Sequence, residues 1–134
     1  MTKYVELNKL RPNNWFLNKK KLESVRQAWR DGNQHLLPAV LVTEIDDQLS
    51  LLDGHCRAYS AWEFGARKIL AEVILPIQVR GNIELIRRMH QQGPDTGIMG
   101  IADLGKRIVD SENHNINRNS SLLSKGWRPR KARS

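Results

Sequence analysis

Residues 51–65 read LLDGHCRAYSAWEFG, and this stretch limits the fold more than any other. Apolar Leu51 and Leu52 run into a turn at Asp53 and Gly54, and an amphipathic segment follows. The glycine admits a backbone angle that other residues avoid. The pattern predicts a strand ending at Asp53 and a helix from about Arg57 to Phe64, stopped by Gly65. Ala58, Tyr59, Ala61 and Trp62 are the expected inner face of that helix. Asp53, Gly54, His55, Cys56 and Arg57 then crowd one strand-to-helix joint.

The flanking sequence supplies a frame for that joint. Lys3–Leu7 alternates polar and apolar residues, as a short strand does, and NKLRPNN reads as a turn. Asn18 is an expected N-cap for a helix from Lys19 to about Arg30, with Leu22, Val25, Ala28 and Trp29 on its apolar face and Gly32 as its stop. Pro38–Ile45 and Gln48–Asp53 read as two strands of a hairpin turning at Asp46 and Asp47. Lys68–Leu75 is a further strand, closed by Pro76. Asn82 is an expected cap for a helix through Gln92, with Ile83, Ile86 and Met89 or His90 on one side. Ile101–Arg107 is an expected short helix with Leu104 inward. The order gives an α+β fold: a small mixed β-sheet packed with helices, and a helical C-terminal extension. The expected division is a core over 1–80, the extension over 81–114, and a tail over 115–134.

Composition narrows the functional classes. The chain has 134 residues and one cysteine, so one domain with a tail is expected and an intramolecular disulfide is excluded. No apolar run reaches the length of a membrane helix, and the start lacks an apolar signal core. A soluble, cytoplasmic protein in a reducing compartment is the expectation. The formal net charge is +8, but six of the 22 Lys and Arg residues lie in 115–134, where there is no acid; residues 1–114 hold 16 basic against 14 acidic groups. The body is therefore near neutral, which argues against a strongly basic nucleic-acid-binding domain. The tail, with Trp127 among its arginines, is expected to be disordered and offers a weak nucleic-acid contact by charge and stacking.

The joint itself invites an anion. A helix N-terminus exposes unpaired N–H groups and partial positive charge. His55 and Arg57 add donors, and a guanidinium matches phosphate geometry. The alternative is that Asp53 caps the helix and Arg57 is solvated. A second feature agrees: Lys19, Lys20 and Lys21 open the first helix, where cations oppose the macrodipole unless an anion accompanies them. Lys21 and Ser24 lie one turn apart and can face one ligand. Zinc at His55 and Cys56 lacks partner ligands, as no CxxC or HxxxH exists. Cys56 is either a thiol activated by the helix N-terminus or a small buried apolar group. No Walker-type glycine loop is present.

LRP before the first helix, the hairpin, and LLDGHCRAYSAWEFGARKILAEV together resemble the ParB/sulfiredoxin superfamily, over about Tyr4–Leu75. Residues 82–111, with GIADLGKRIV, resemble the extension of ParB-like nuclease-type bacterial proteins whose turn reads DGHxRA. The resemblance implies a nucleotide-phosphate site for ATP or CTP with Mg²⁺. By position it implies Arg11 (with Pro12), Lys21, Ser24, Gly54, His55, Cys56 and Arg57 as phosphate-binding residues. Cys56 falls where sulfiredoxins carry a histidine, so it is not expected to be their sulfinate-reducing nucleophile. The ParB Gly-Glu-Arg-Arg turn, its Glu-Asn-x-x-Arg motif and a helix-turn-helix domain are absent. No acid lies between Glu6 and Glu23, where kinases of the superfamily place a base. Asp53 and His55 are the remaining candidate catalytic groups. The expected activity is phosphate-ligand binding with phosphoryl transfer or nucleotide hydrolysis as the reaction, no metal held by the protein alone, and no membrane contact. The alternatives are a DNA-binding, partition-type or nuclease accessory protein using the tail, and a non-catalytic partner-binding domain.

Overall fold

The computed structural model describes residues 1–79 and 83–110. The expected Asn82 cap and the basic tail over 115–134 lie outside the described residues. Ten regular elements occur among the described residues: β1 Thr2–Glu6, β2 Leu10–Pro12, β3 Leu17–Asn18, α1 Lys19–Arg30, β4 Val40–Ile45, β5 Gln48–Asp53, α2 His55–Glu63, β6 Lys68–Ile74, α3 Ile83–Gln92 and β7 Ile108–Val109. Short 3₁₀ turns join them.

The sheet is mixed, five-stranded and ordered β1-β6-β4-β5-β2. β1 runs antiparallel to β6, β6 parallel to β4, β4 antiparallel to β5, and β5 parallel to β2. The β4–β5 hairpin closes over Asp46 (φ 51°) and Asp47 (φ 62°). Two successive positive φ angles match the right-handed twist of the flanking strands. The β4–β5 register shifts between Leu41 and Val42: Val42 faces Leu51, but Leu41 faces Asp53. The extra residue is Leu52, so a β-bulge bends β5 just before the turn that carries the candidate site.

α1 and α2 pack against each other and lie on one side of this sheet. Leu22 of α1 and Ala58 and Ala61 of α2 are fully buried, and Trp29 stacks on Phe64 with centroids 5.5 Å apart. Trp62 was expected inward but is 45% exposed; Ser60 is buried in its place. Small residues let α2 approach closely, and the large indole is left at the margin against Tyr59. Arg26 of α1 ties the pair: its Nε and Nη2 donate to Glu63 at 2.8 and 2.7 Å, and its Nη1 donates to Glu23 at 2.6 Å. These carboxylates raise the Arg26 pKa against the opposing effect of burial.

The LRP segment was expected as part of a turn, yet it is β2. Leu10 and Pro12 pair with Leu49 and Leu51 of β5 at an edge, and an edge strand tolerates proline. The segment after α3 folds back onto the core. Met89, Ile98, Ile101 and Leu104 join Trp15, Leu17 and Leu51 in one buried cluster, and β7 pairs in parallel with β3. Leu104 points inward from a 3₁₀ turn over Ile101–Arg107 rather than from an α-helix.

Candidate functional site

A cleft of about 950 Å³ opens where β5 hands over to α2. α1 forms one wall with Lys21, Ser24 and Val25. The loop at Asn13 and Asn14 forms the second, Pro38 and Leu41 the third, and α3 contributes Leu85, Ile86 and Met89. The walls are mostly apolar, and the polar groups gather at the α2 end, a distribution common to small-molecule sites.

The polar end begins with Gly54, the N-cap of α2, at φ 99°. It brings no side-chain oxygen to the first-turn N–H groups. The contrast with α1 is direct. Asn18 Oδ1 accepts from Lys20 N at 3.0 Å and Lys21 N at 3.2 Å, so α1 caps itself. The anion expected at α1 because of its three lysines is thus not needed by its backbone. The lysines also divide: Lys21 faces the cleft, whereas Lys19 and Lys20 border a separate hollow with Asp110. Ser24 reaches the cleft while donating from Oγ to Lys20 O at 3.3 Å.

Asp53 is the last residue of β5 rather than a cap, and its carboxylate stands at the rim, 3.5 Å from Arg57 Nη2. Arg57 was expected as a solvated or phosphate-binding cation. Its guanidinium is folded back onto the residues just before β4: Nη1 donates to Pro38 O at 3.0 Å and Ala39 O at 3.3 Å. It clamps the α2 N-terminus to the entrance of β4 and still lines the cleft.

His55 makes a contact that the sequence does not announce. It is buried, and Nε2 accepts from the backbone N–H of both Asn13 (3.0 Å) and Asn14 (3.1 Å). An accepting Nε2 requires the neutral imidazole with its proton on Nδ1. Nε2 is therefore unable to donate to a phosphate in this arrangement, and its value as a proton-transfer group is reduced for the same reason.

Arg11 does not line the cleft. Its Nη1 donates to Gln48 Oε1 at 2.5 Å and its Nη2 to His90 O at 3.0 Å. In this arrangement the guanidinium is occupied by the β4–β5 hairpin and α3, away from the residues that line the cleft. Cys56 lies in the cleft wall, half-buried, with Sγ 3.9 Å from Asn18 O. Burial pushes its thiol pKa up, against the smaller pull of the Asn18 carbonyl contact and nearby cations. The thiolate is disfavoured, so Cys56 behaves as a packing residue.

Sequence reasoning missed Asn13 and Asn14. Asn13 is buried, with Nδ2 donating to Ser50 Oγ and Ile86 O, both at 2.9 Å. The NN pair read as a turn signal, and nothing local marks it as a cleft wall. Among the described residues no group of three or more His, Cys, Asp or Glu is placed to hold a metal ion, and no helix is long and apolar enough to cross a membrane.

Neither a protein-family model nor a curated protein sequence matches the chain. Solved structures do match in fold. Protein Atu1540 from Agrobacterium tumefaciens superposes with a TM-score of 0.57 at 19% identity, over 99% of this chain and 74% of that one. Sulfiredoxin from Arabidopsis thaliana superposes with a TM-score of 0.50 at 18% identity, over 66% of this chain and 96% of that one. Chromosome-partitioning protein ParB from Caulobacter crescentus, complexed with CTP-gamma-S, reaches 0.49 at 13% identity over 96% and 66%, too loose a likeness to carry weight.

Proposed function

From the ParB/sulfiredoxin-like fold and the cleft it carries, we propose that this protein binds a phosphorylated ligand, a nucleotide such as ATP or CTP with Mg²⁺. The observation that carries the reading is the glycine-capped N-terminus of α2, opening into a cleft that also holds Lys21 and Ser24. First-turn amides and the α2 dipole favour an anion there. Lys21 supplies a mobile positive charge opposite them, and Ser24 a hydroxyl one turn along. The apolar walls at Leu41, Leu85 and Met89 suit the flat, less polar part of a nucleotide.

Gly54 is fixed by packing: a Cβ there would stand 2.6 Å from Val40 Cγ1 and 2.8 Å from Arg57 Nη2, so only a glycine lets the α2 N-terminus sit this close to β4. Mg²⁺ typically arrives on nucleotide phosphates with one or two carboxylates. Among the described residues that line the cleft, Asp53, exposed at the rim, is the carboxylate. Phosphoryl transfer is the reaction such a site suits, since positioning and charge neutralisation dominate it; Asp53 is then the candidate acceptor of the hydroxyl or water proton. Calorimetric titration with Mg-ATP and Mg-CTP tests the reading. Binding should appear in the wild type and weaken about tenfold in Lys21→Ala. Negligible binding of both nucleotides by the wild type sinks it.

A further inference from the structure

We infer that His55 is a positioning residue that holds the ligand cleft in shape only while its imidazole is neutral. The inference rests on the nucleotide-cleft reading for its ligand, but on separate observations for its geometry. His55 is the first residue of α2, and the Asn13–Asn14 segment forms the facing wall. The two are joined by one atom. Nε2 of His55 accepts from Asn13 N at 3.0 Å and from Asn14 N at 3.1 Å. The wall is held from its other side by Asn13 Nδ2, which donates to Ser50 Oγ and Ile86 O. His55 thus supplies the tie between the anion-binding helix end and a segment that reaches both β5 and α3.

Protonation reverses that tie. An imidazolium has no acceptor lone pair, so Nε2–H would face two backbone N–H donors. Either the ring or the wall must then move, and the two amides lose a buried acceptor. Among the described residues that line the cleft, Lys21 on α1 and Arg57 on α2 disfavour a further cation, while Asp53 at the end of β5 favours one. The Asn13–Asn14 wall brings no charge, Cys56 is held as a neutral thiol, and α3 presents Leu85, Ile86 and Met89 to the cleft. The sign is fixed. The tie is present with neutral imidazole at higher pH and is lost as pH falls and the ring protonates.

That sign separates a positioning histidine from a ligand-binding one. A histidine that contacts the anion directly binds it more tightly when protonated. His55 acting through the wall makes binding weaker in acid. Sulfate is the suitable probe, because it does not titrate between pH 5.5 and 7.5, and binding can be followed together with the amide NMR signals of Asn13 and Asn14. The expected result is about tenfold weaker sulfate affinity at pH 5.5 than at pH 7.5, with both amides shifting along the His55 titration. In His55→Gln, whose amide oxygen accepts but does not titrate in this range, the pH dependence should largely disappear. Affinity that rises or stays the same in acid, or Asn13 and Asn14 amides that do not shift between pH 7.5 and 5.5, overturns the inference. If sulfate fails to bind at any pH, the cleft reading has failed, and the amide titration in the wild type still decides whether the tie is proton-dependent. Should His55→Gln not fold, that same wild-type titration decides.

Discussion

Gly54 sits so close to Val40 that a Cβ on it would stand 2.6 Å from Val40 Cγ1. The contact joins the α2 N-cap to the first residue of β4, beneath the cleft. Arg57 reinforces the same junction through the carbonyls of Pro38 and Ala39. The site is thus built on a backbone-to-strand contact in which any side chain is an intrusion. Gly54→Ala should destabilise the fold by about 2–4 kcal/mol, from a positive φ plus overpacking. Urea unfolding checks this; a loss below about 0.5 kcal/mol would show that the junction yields easily.

Arg26 and Glu63 offer a second test, on the scaffold rather than the site. The guanidinium spans α1 and α2 through two short bonds, and both partners are more than half covered. A double-mutant cycle with Arg26→Ala and Glu63→Ala should give a coupling of about 1 kcal/mol. Additive effects would show that the pair is geometric decoration.

His90 provides a pH signature apart from the cleft. Burial lowers its pKa first, and Arg11 adds to the shift, while Asp46 opposes it weakly. A histidine with a folded pKa below its unfolded value favours the folded state above the unfolded pKa, and that contribution is lost as pH falls toward the folded value. Wild type should therefore lose stability below about pH 6.5, the ordinary histidine value, and His90→Gln should lose less over the same interval. Parallel unfolding midpoints for the two proteins from pH 7.5 to 5 would contradict this.

Much of the fold was legible because its signals are local. α1 starts at Lys19 behind an Asn cap and ends at Arg30, and β5 covers Gln48–Asp53, both as the residue pattern predicts. α2 begins two residues earlier than expected, at His55, because Gly54 rather than Asp53 forms the joint. The missed elements depend on partners distant in sequence. β2 exists only by pairing with β5, and β3 only by pairing with β7, some ninety residues away. The site followed the same division. A glycine before a helix start is visible in DGHCR, and so is the Lys21–Ser24 spacing. That Arg11 turns to Gln48 and His90, and that His55 spends Nε2 on two backbone amides, depends on where α3 and the Asn13–Asn14 wall dock. Residue type pointed His55 at the ligand and the family resemblance pointed Arg11 there; tertiary packing gives each a protein partner that no local pattern announces.

The central claim is that phosphate groups bind at the α2 N-terminus inside the cleft. Amide chemical-shift mapping during a titration with Mg-ATP or Mg-CTP tests it most directly. The account predicts that the largest shifts fall on Gly54, His55, Cys56 and Arg57, with Lys21 and Ser24 next. Shifts centred on Lys19 and Lys20 beside Asp110, or none in the cleft at saturating nucleotide, would contradict it.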